Sequence, residues 1–197
     1  MNPDTMNPFP TTLRAATLVV LSTLAAFSAH ADQKLLPAQS EITFVSKQMG
    51  VPVEGRFKKF DAQIAFDPTK PQTGNIAFTI DIASITLGSP EPDAELPKAP
   101  WFNTAKFPQA TFRSSSIKGL GGGKFEVVGK LAIKGNTHDA TIPVVLTHAG
   151  STTTASGVLT IKRLAYKIGE NEWADTAMVA DDVQVKFKQA LSGDGKF

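Results

Sequence analysis

From about residue 40 onward, apolar side chains return at every second position, and this period constrains the fold more than any other feature of the chain. In GNIAFTIDIASITLG, residues 74–88, Ile76, Phe78, Ile80 and Ile82 alternate with Ala77, Thr79, Asp81 and Ala83. Successive side chains of an extended strand point to opposite faces, so the stretch predicts a half-buried strand. The same alternation places Ile42 with Phe44, and Val51, Val53 and Gly55 with Phe57. It then groups Phe60, Ala62, Ile64 and Phe66. Further on, Phe125, Val127, Leu131 and Ile133 face away from Glu126, Lys130 and Lys134. Ile142, Val144 and Leu146 form another row, followed by Leu159 with Ile161, and by Val183, Val185 and Phe187.

Turn chemistry separates these rows. DPTKPQTGN (67–75), KGLGGGK (118–124), the Gly135-Asn136 dipeptide and LTHAGSTTT (146–154) each read as a reversal. Short strands at near-regular spacing predict an all-β sandwich or barrel. One region breaks the rhythm. Residues 88–112 hold five prolines, a single predicted helical turn at Asp93–Leu96, and the apolar Trp101, Phe102 and Phe107. It reads as a long connection capping one end of the β structure. The apolar strand face can then look at a facing sheet in a packed core, or at a small molecule enclosed by the protein.

The amino-terminal region reads differently. Arg14 precedes an apolar run from Ala15 to Phe27 and the small-x-small pattern Ala29-His30-Ala31. This is the pattern of a secretory signal over residues 1–31, too short for a membrane span, leaving a domain of residues 32–197. No later run approaches the length of a membrane helix, so no stable membrane insertion is expected. Lys and Arg number 20 against 18 Asp and Glu, which gives no electrostatic reason to expect nucleic acid. Cysteine is absent, so an exported domain must be held by its core alone.

Catalytic signals are poor. His138 and His148 fall in predicted turns without a partner at metal-ligand spacing, and no metal site is expected. There is no Gly-x-Ser-x-Gly elbow. GLGGGKF is one residue short of phosphate-loop spacing, and a strand follows it where a helix is needed. Glu91, Asp93 and Glu95 cluster in the long connection, and Glu170, Glu172 and Asp175 cluster beside Trp173, without a feature that marks either set as catalytic. Arg163 continues the face of Leu159 and Ile161. An unpaired buried charge costs several kcal/mol. The residue therefore sits at a mouth, pairs with an acid such as Asp93, Glu95 or Asp175, or is flipped outward by a bulge.

Five segments carry a family resemblance: SEITFVSKQMGVPVEGRFKKFDAQIAFDP, IDIASI, PWFNTAKFPQATFRSSSI, VVGKLAIKGNTHDATIPV and TIKRLAYKIG. In order and spacing, from Ser40 to about Phe187, the chain resembles the YceI family of exported, lipocalin-like proteins, some of which bind polyisoprenoids. The resemblance implies an extended eight-stranded antiparallel barrel with a short helical segment in the long loop. It implies a periplasmic location and a tunnel holding an isoprenoid quinone tail or a polyprenyl lipid.

On this reading Phe44, Phe57, Phe66, Phe78, Ile80, Ile82, Trp101, Phe102, Phe112, Leu131, Ile133, Leu146, Leu159 and Ile161 line the tunnel. Trp101-Phe102 stands where the family often has two phenylalanines, and Arg163 matches a common family arginine. The family's Arg-Asp-x-His-Leu run reads Pro92-Asp93-Ala94-Glu95-Leu96 here, so Asp93, Glu95 and Arg163 are the expected polar groups of the mouth. The expected function is storage or transport of an apolar lipid, with no catalytic residue and no resident cofactor beyond such a lipid. Two other classes stay open: an enzyme acting on a lipid head group at the mouth, and a filled barrel with a structural role. Exposed edges and family habit leave a homodimer open.

Overall fold

The computed structural model describes residues 33–193. The signal-type segment 1–31 lies outside the described residues. Eleven strands form one antiparallel sheet. They are β1 (Lys34–Leu35), β2 (Glu41–Gln48), β3 (Val51–Phe57), β4 (Phe60–Ala65), β5 (Asn75–Asp81) and β6 (Ile85–Thr86). After helix α1 (Pro90–Glu95) come β7 (Gln109–Gly121), β8 (Lys124–Ile133), β9 (Asn136–Ala149), β10 (Thr152–Lys162) and β11 (Asp182–Ser192).

Their order is β4-β5-β7-β8-β9-β10-β11-β2-β3-β6, and β1 pairs with β11 beyond the end of β2. The sheet curls back on itself. β3 runs into β4 through Lys58-Lys59, and Gln33, just before β1, bridges Ile64 of β4.

Eleven strands stand where eight were expected because three runs are interrupted. Pro37 opens a 3-10 turn between β1 and β2. Between β5 and β6 the Asp81 carboxylate accepts from Ala83 N at 3.0 Å and starts a second such turn at Ile82–Ser84. The facing bend between β3 and β4 is stapled to it. Ser84 Oγ accepts from Lys58 N at 3.1 Å and Lys59 N at 2.9 Å. The turn also shifts the alternation of the quoted stretch: Ile76, Phe78, Ile80 and Ile82 face inward, and then Ile85 and Leu87 do.

The hairpins follow their turn residues. Met49 (φ 49) and Gly50 (φ 80) join β2 to β3, with both central residues left-handed as a two-residue turn demands. The β8–β9 turn is offset by one residue from the expected Gly135-Asn136: its central pair is Lys134 (φ 48) and Gly135 (φ 75). Lys134 was expected on the polar outer face, yet it is 7% exposed. Leaving the strand for the turn redirects its side chain. The two histidines also depart from expectation, since both lie within β9. His138 Nε2 donates to Ala165 O at 2.9 Å, and His148 Nδ1 meets Thr153 Oγ1 at 3.2 Å.

Candidate functional site: an apolar interior with a polar collar

The curled sheet surrounds a cavity of about 440 Å³. Alternation aims one row of side chains from each long strand into it. All fourteen apolar residues expected to line a tunnel border this space. Phe44 of β2 and Phe57 of β3 pack there with ring centroids 5.6 Å apart. Phe66, just past β4, meets Phe125 edge-on at 5.2 Å. Phe78 and Ile80 of β5 contribute next, then Ile82 from the turn and Phe112 of β7. Leu131 and Ile133 of β8, Leu146 of β9, and Leu159 and Ile161 of β10 complete the strand contribution. Trp101 and Phe102 reach in from the long connection. Glycine makes room for the largest rings: Gly55 and Gly157 lie in register with Phe44 and Phe187, whose rings occupy the space a side chain would take.

Arg163 also borders the cavity, but it is neither paired with an acid nor flipped outward. It opens a 3-10 turn after β10 and is 1% exposed. Its partners are carbonyls rather than Asp93, Glu95 or Asp175. Nε donates to Ala180 O at 3.1 Å, Nη1 to Ile168 O at 2.8 Å and Gly169 O at 3.0 Å, and Nη2 to Trp173 O at 2.7 Å and Val179 O at 2.6 Å. Five N–H groups meet five carbonyl oxygens, so the guanidinium is fully satisfied without an ion pair. Burial pulls its pKa down, and the Asp181 carboxylate opposes that. Gly169 (φ 76) is favoured twice over, by its left-handed backbone and by the guanidinium, whose Nη1 occupies the place a β-carbon would take.

The residues gathered by Arg163 form a collar at one end of the cavity. Lys134, which sequence reasoning placed outside, ties the long connection to it. Its Nζ donates to Lys167 O at 2.6 Å, Glu170 Oε2 at 2.8 Å and Pro100 O at 3.3 Å. Pro100 O also accepts from Gly169 N and Glu170 N, each at 2.9 Å. Trp101, the next residue, is thereby held against Trp173, with centroids 5.3 Å apart.

Lys134→Met is expected to cost about 1–3 kcal/mol in a urea titration, because buried carbonyls lose their donor. The Lys134 hydrogen bond holds the Glu170 carboxyl below its ordinary value of 4.5. A carboxylate with a depressed folded pKa contributes stability that is complete above its unfolded value and lost as pH falls through the folded one. The gap between wild type and Lys134→Met should therefore narrow below pH 4.5. A gap independent of pH would remove Glu170 from the account.

Of the acids expected at the mouth, Asp93 is used structurally. It accepts from the Thr86 hydroxyl and from Leu87 N at 2.6 Å, which holds its carboxyl below the usual carboxylate range and pins α1 to the end of β6. Glu95 does border the cavity and pairs with exposed Lys98. Sequence reasoning missed Trp173, Gln33, Thr153 and Gln189, which also line the space. Gln189 was readable: one more step of two from Phe187 reaches it.

Among the described residues no cluster of three His, Cys, Asp or Glu could hold a metal ion. No helix among them is long and apolar enough to cross a membrane, which says nothing of membrane β-barrels.

The fold and interior define a class: an antiparallel β protein whose single sheet wraps an apolar cavity. The chain belongs to the YceI-like domain family, whose model matches residues 34–191. It is 36% identical over 96 residues to Protein YceI of Escherichia coli O157:H7, and so spans about half the length of that curated relative (49% of this chain, 50% of that one). Among solved structures, Burkholderia cenocepacia BcnA is similar at 47% identity and a TM-score of 0.78, covering 80% of this chain and 99% of that one. A polyisoprenoid binding domain from Saccharophagus degradans shares the fold at 18% identity and a TM-score of 0.67, covering 82% and 98%.

Proposed function

We propose that this chain is an exported, periplasmic binding protein that holds a long apolar lipid, an isoprenoid quinone tail or polyprenyl chain, for storage or transport. The observation that carries the reading is the cavity of about 440 Å³, lined almost throughout by aliphatic and aromatic side chains. Pockets of this size and character suit small apolar ligands. Counted through their three interruptions, the eleven strands make eight long runs, the number at which a barrel interior accepts one ligand. Each methylene of an isoprenoid buried there contributes about 0.8 kcal/mol, so affinity grows with chain length. The shared fold with a polyisoprenoid binding domain supports the same reading. Catalysis is not part of the proposal.

Organic extraction of the purified protein followed by mass spectrometry tests it. Recovery of a stoichiometric isoprenoid is expected; an empty extract, together with no uptake of added polyprenol, would sink the idea. Trp101 closes the collar end on this reading. Trp101→Ala should speed release of a loaded polyprenol by roughly tenfold through lost aromatic contact while leaving the barrel folded, at some cost in stability because the indole also packs on the cluster of Ile82, Ile133 and Ile168. Unchanged release measured by dilution into acceptor vesicles would move the exit elsewhere.

A further inference from the structure

We propose that the tip of the β2–β3 hairpin and the neighbouring Met178 dock the protein on the surface of a lipid bilayer, with the mouth of the cavity beside the contact. The inference rests on the lipid-site reading and deepens it by naming the partner that the mouth meets.

The cavity opens at the collar end. Among the described residues that line it, only Gln48 and Glu95 are exposed, and Gln48 bridges Val179 of the collar. Met49 follows Gln48 at the hairpin tip and is 76% exposed. Val51, in register with Gln48, is 63% exposed. It continues by twos the inward row of Phe57, Gly55 and Val53, so the apolar wall runs past the rim to the surface. Met178 is 45% exposed, and its carbonyl accepts from Met49 N at 2.8 Å.

This patch is held in place. The Asp175 carboxylate accepts from Ala177 N at 2.8 Å, Asp175 O accepts from Val179 N at 3.0 Å, and Arg163 Nη2 donates to Val179 O. Met178 therefore meets water on a fixed turn tied to the collar, not on a fraying end. Exposed apolar groups grouped at one place mark a contact surface.

Size and charge select the partner. Three side chains offer a few hundred Å² at most, against the about 800 Å² per partner that a stable protein interface buries. A bilayer asks for less, because apolar side chains gain by entering the headgroup boundary without a complementary surface. Two flexible methionines suit such a fluid partner. The exposed charges nearby, Lys47, Glu54, Glu172 and Asp175, are mostly acidic, so the attraction does not come from anionic headgroups.

Co-sedimentation of the purified protein with sucrose-loaded phosphatidylcholine vesicles tests this. Wild type should pellet with the vesicles. Met49→Asp combined with Met178→Asp should lower the partition by about tenfold, since carboxylates do not enter the boundary. Aspartate tolerates the left-handed backbone at position 49. Val51→Glu should act in the same direction, and decides the matter if the double variant does not fold. Leu120→Asp, an equal change at an exposed leucine of the β7–β8 hairpin, should partition as wild type does. Wild type left in the supernatant, or an equal loss in Leu120→Asp, overturns the inference. So does a dimer in vesicle-free buffer that the double variant dissolves, which would give the patch to a second copy. Polyprenol added from ethanol without vesicles should load wild type and the double variant alike. Loading lost only in the double variant would make the patch part of the site and overturn the docking role. Failure of wild type to load overturns the lipid site itself.

Discussion

Arg163→Met should lower stability by about 3–5 kcal/mol, the largest single effect expected outside the apolar wall. The methionine has nearly the volume but none of the donors. Carbonyls of Ile168, Gly169, Trp173, Val179 and Ala180 would be left facing each other around an apolar side chain. Arg163→Lys keeps the charge but recovers only part of the loss, because three ammonium hydrogens cannot reproduce a planar five-donor fork. Urea unfolding followed by fluorescence is well placed to see this, since the chain's two tryptophans, Trp101 and Trp173, both stand at the collar. A methionine variant within about 1 kcal/mol of wild type would mean that water can replace the guanidinium, and that the collar is not built on it.

Phe78→Ala should weaken a bound polyprenol by about 1–3 kcal/mol and cost some stability as well. Phe78 lies in register with Ala62 on one side and Phe112 on the other, and its ring faces the cavity. Ile80→Asn should be worse, since its amide would meet hydrocarbon without a partner. Thr79→Ala should change little, because the period of two turns Thr79 away from the lining. Melting curves with and without polyprenol separate two roles. If Phe78→Ala lowers both curves equally, the ring belongs to a packed core. If it removes mainly the increment gained on loading, the ring contacts the lipid.

The wall of the cavity was legible residue by residue because strand periodicity is a local property. Phe44, Phe78 and Leu159 needed only the rule that alternate side chains share a face, together with the decision that the face looks inward. The chain reversals were largely legible for the same reason, since glycine acts on its own backbone, although the β8–β9 turn came one residue early and His138 and His148, expected in turns, fell within β9. Reading failed wherever the backbone left the strand. The turn at Ile82–Ser84 shifted the parity of the inward row, and the exit of β8 swung Lys134 from the outer face into a cluster of carbonyls.

What the sequence by itself determined is therefore the all-β character, the alternation and the apolar wall, all of which depend on neighbours one or two positions away. Only the tertiary structure decided the collar and the polar points inside. Arg163 met backbone oxygens instead of an acid because its partners come from residues 5 to 17 positions further on, and carbonyls carry no side-chain signature. Gln189 is held by Glu41 O, 148 positions away, across strands that become neighbours only when the sheet curls.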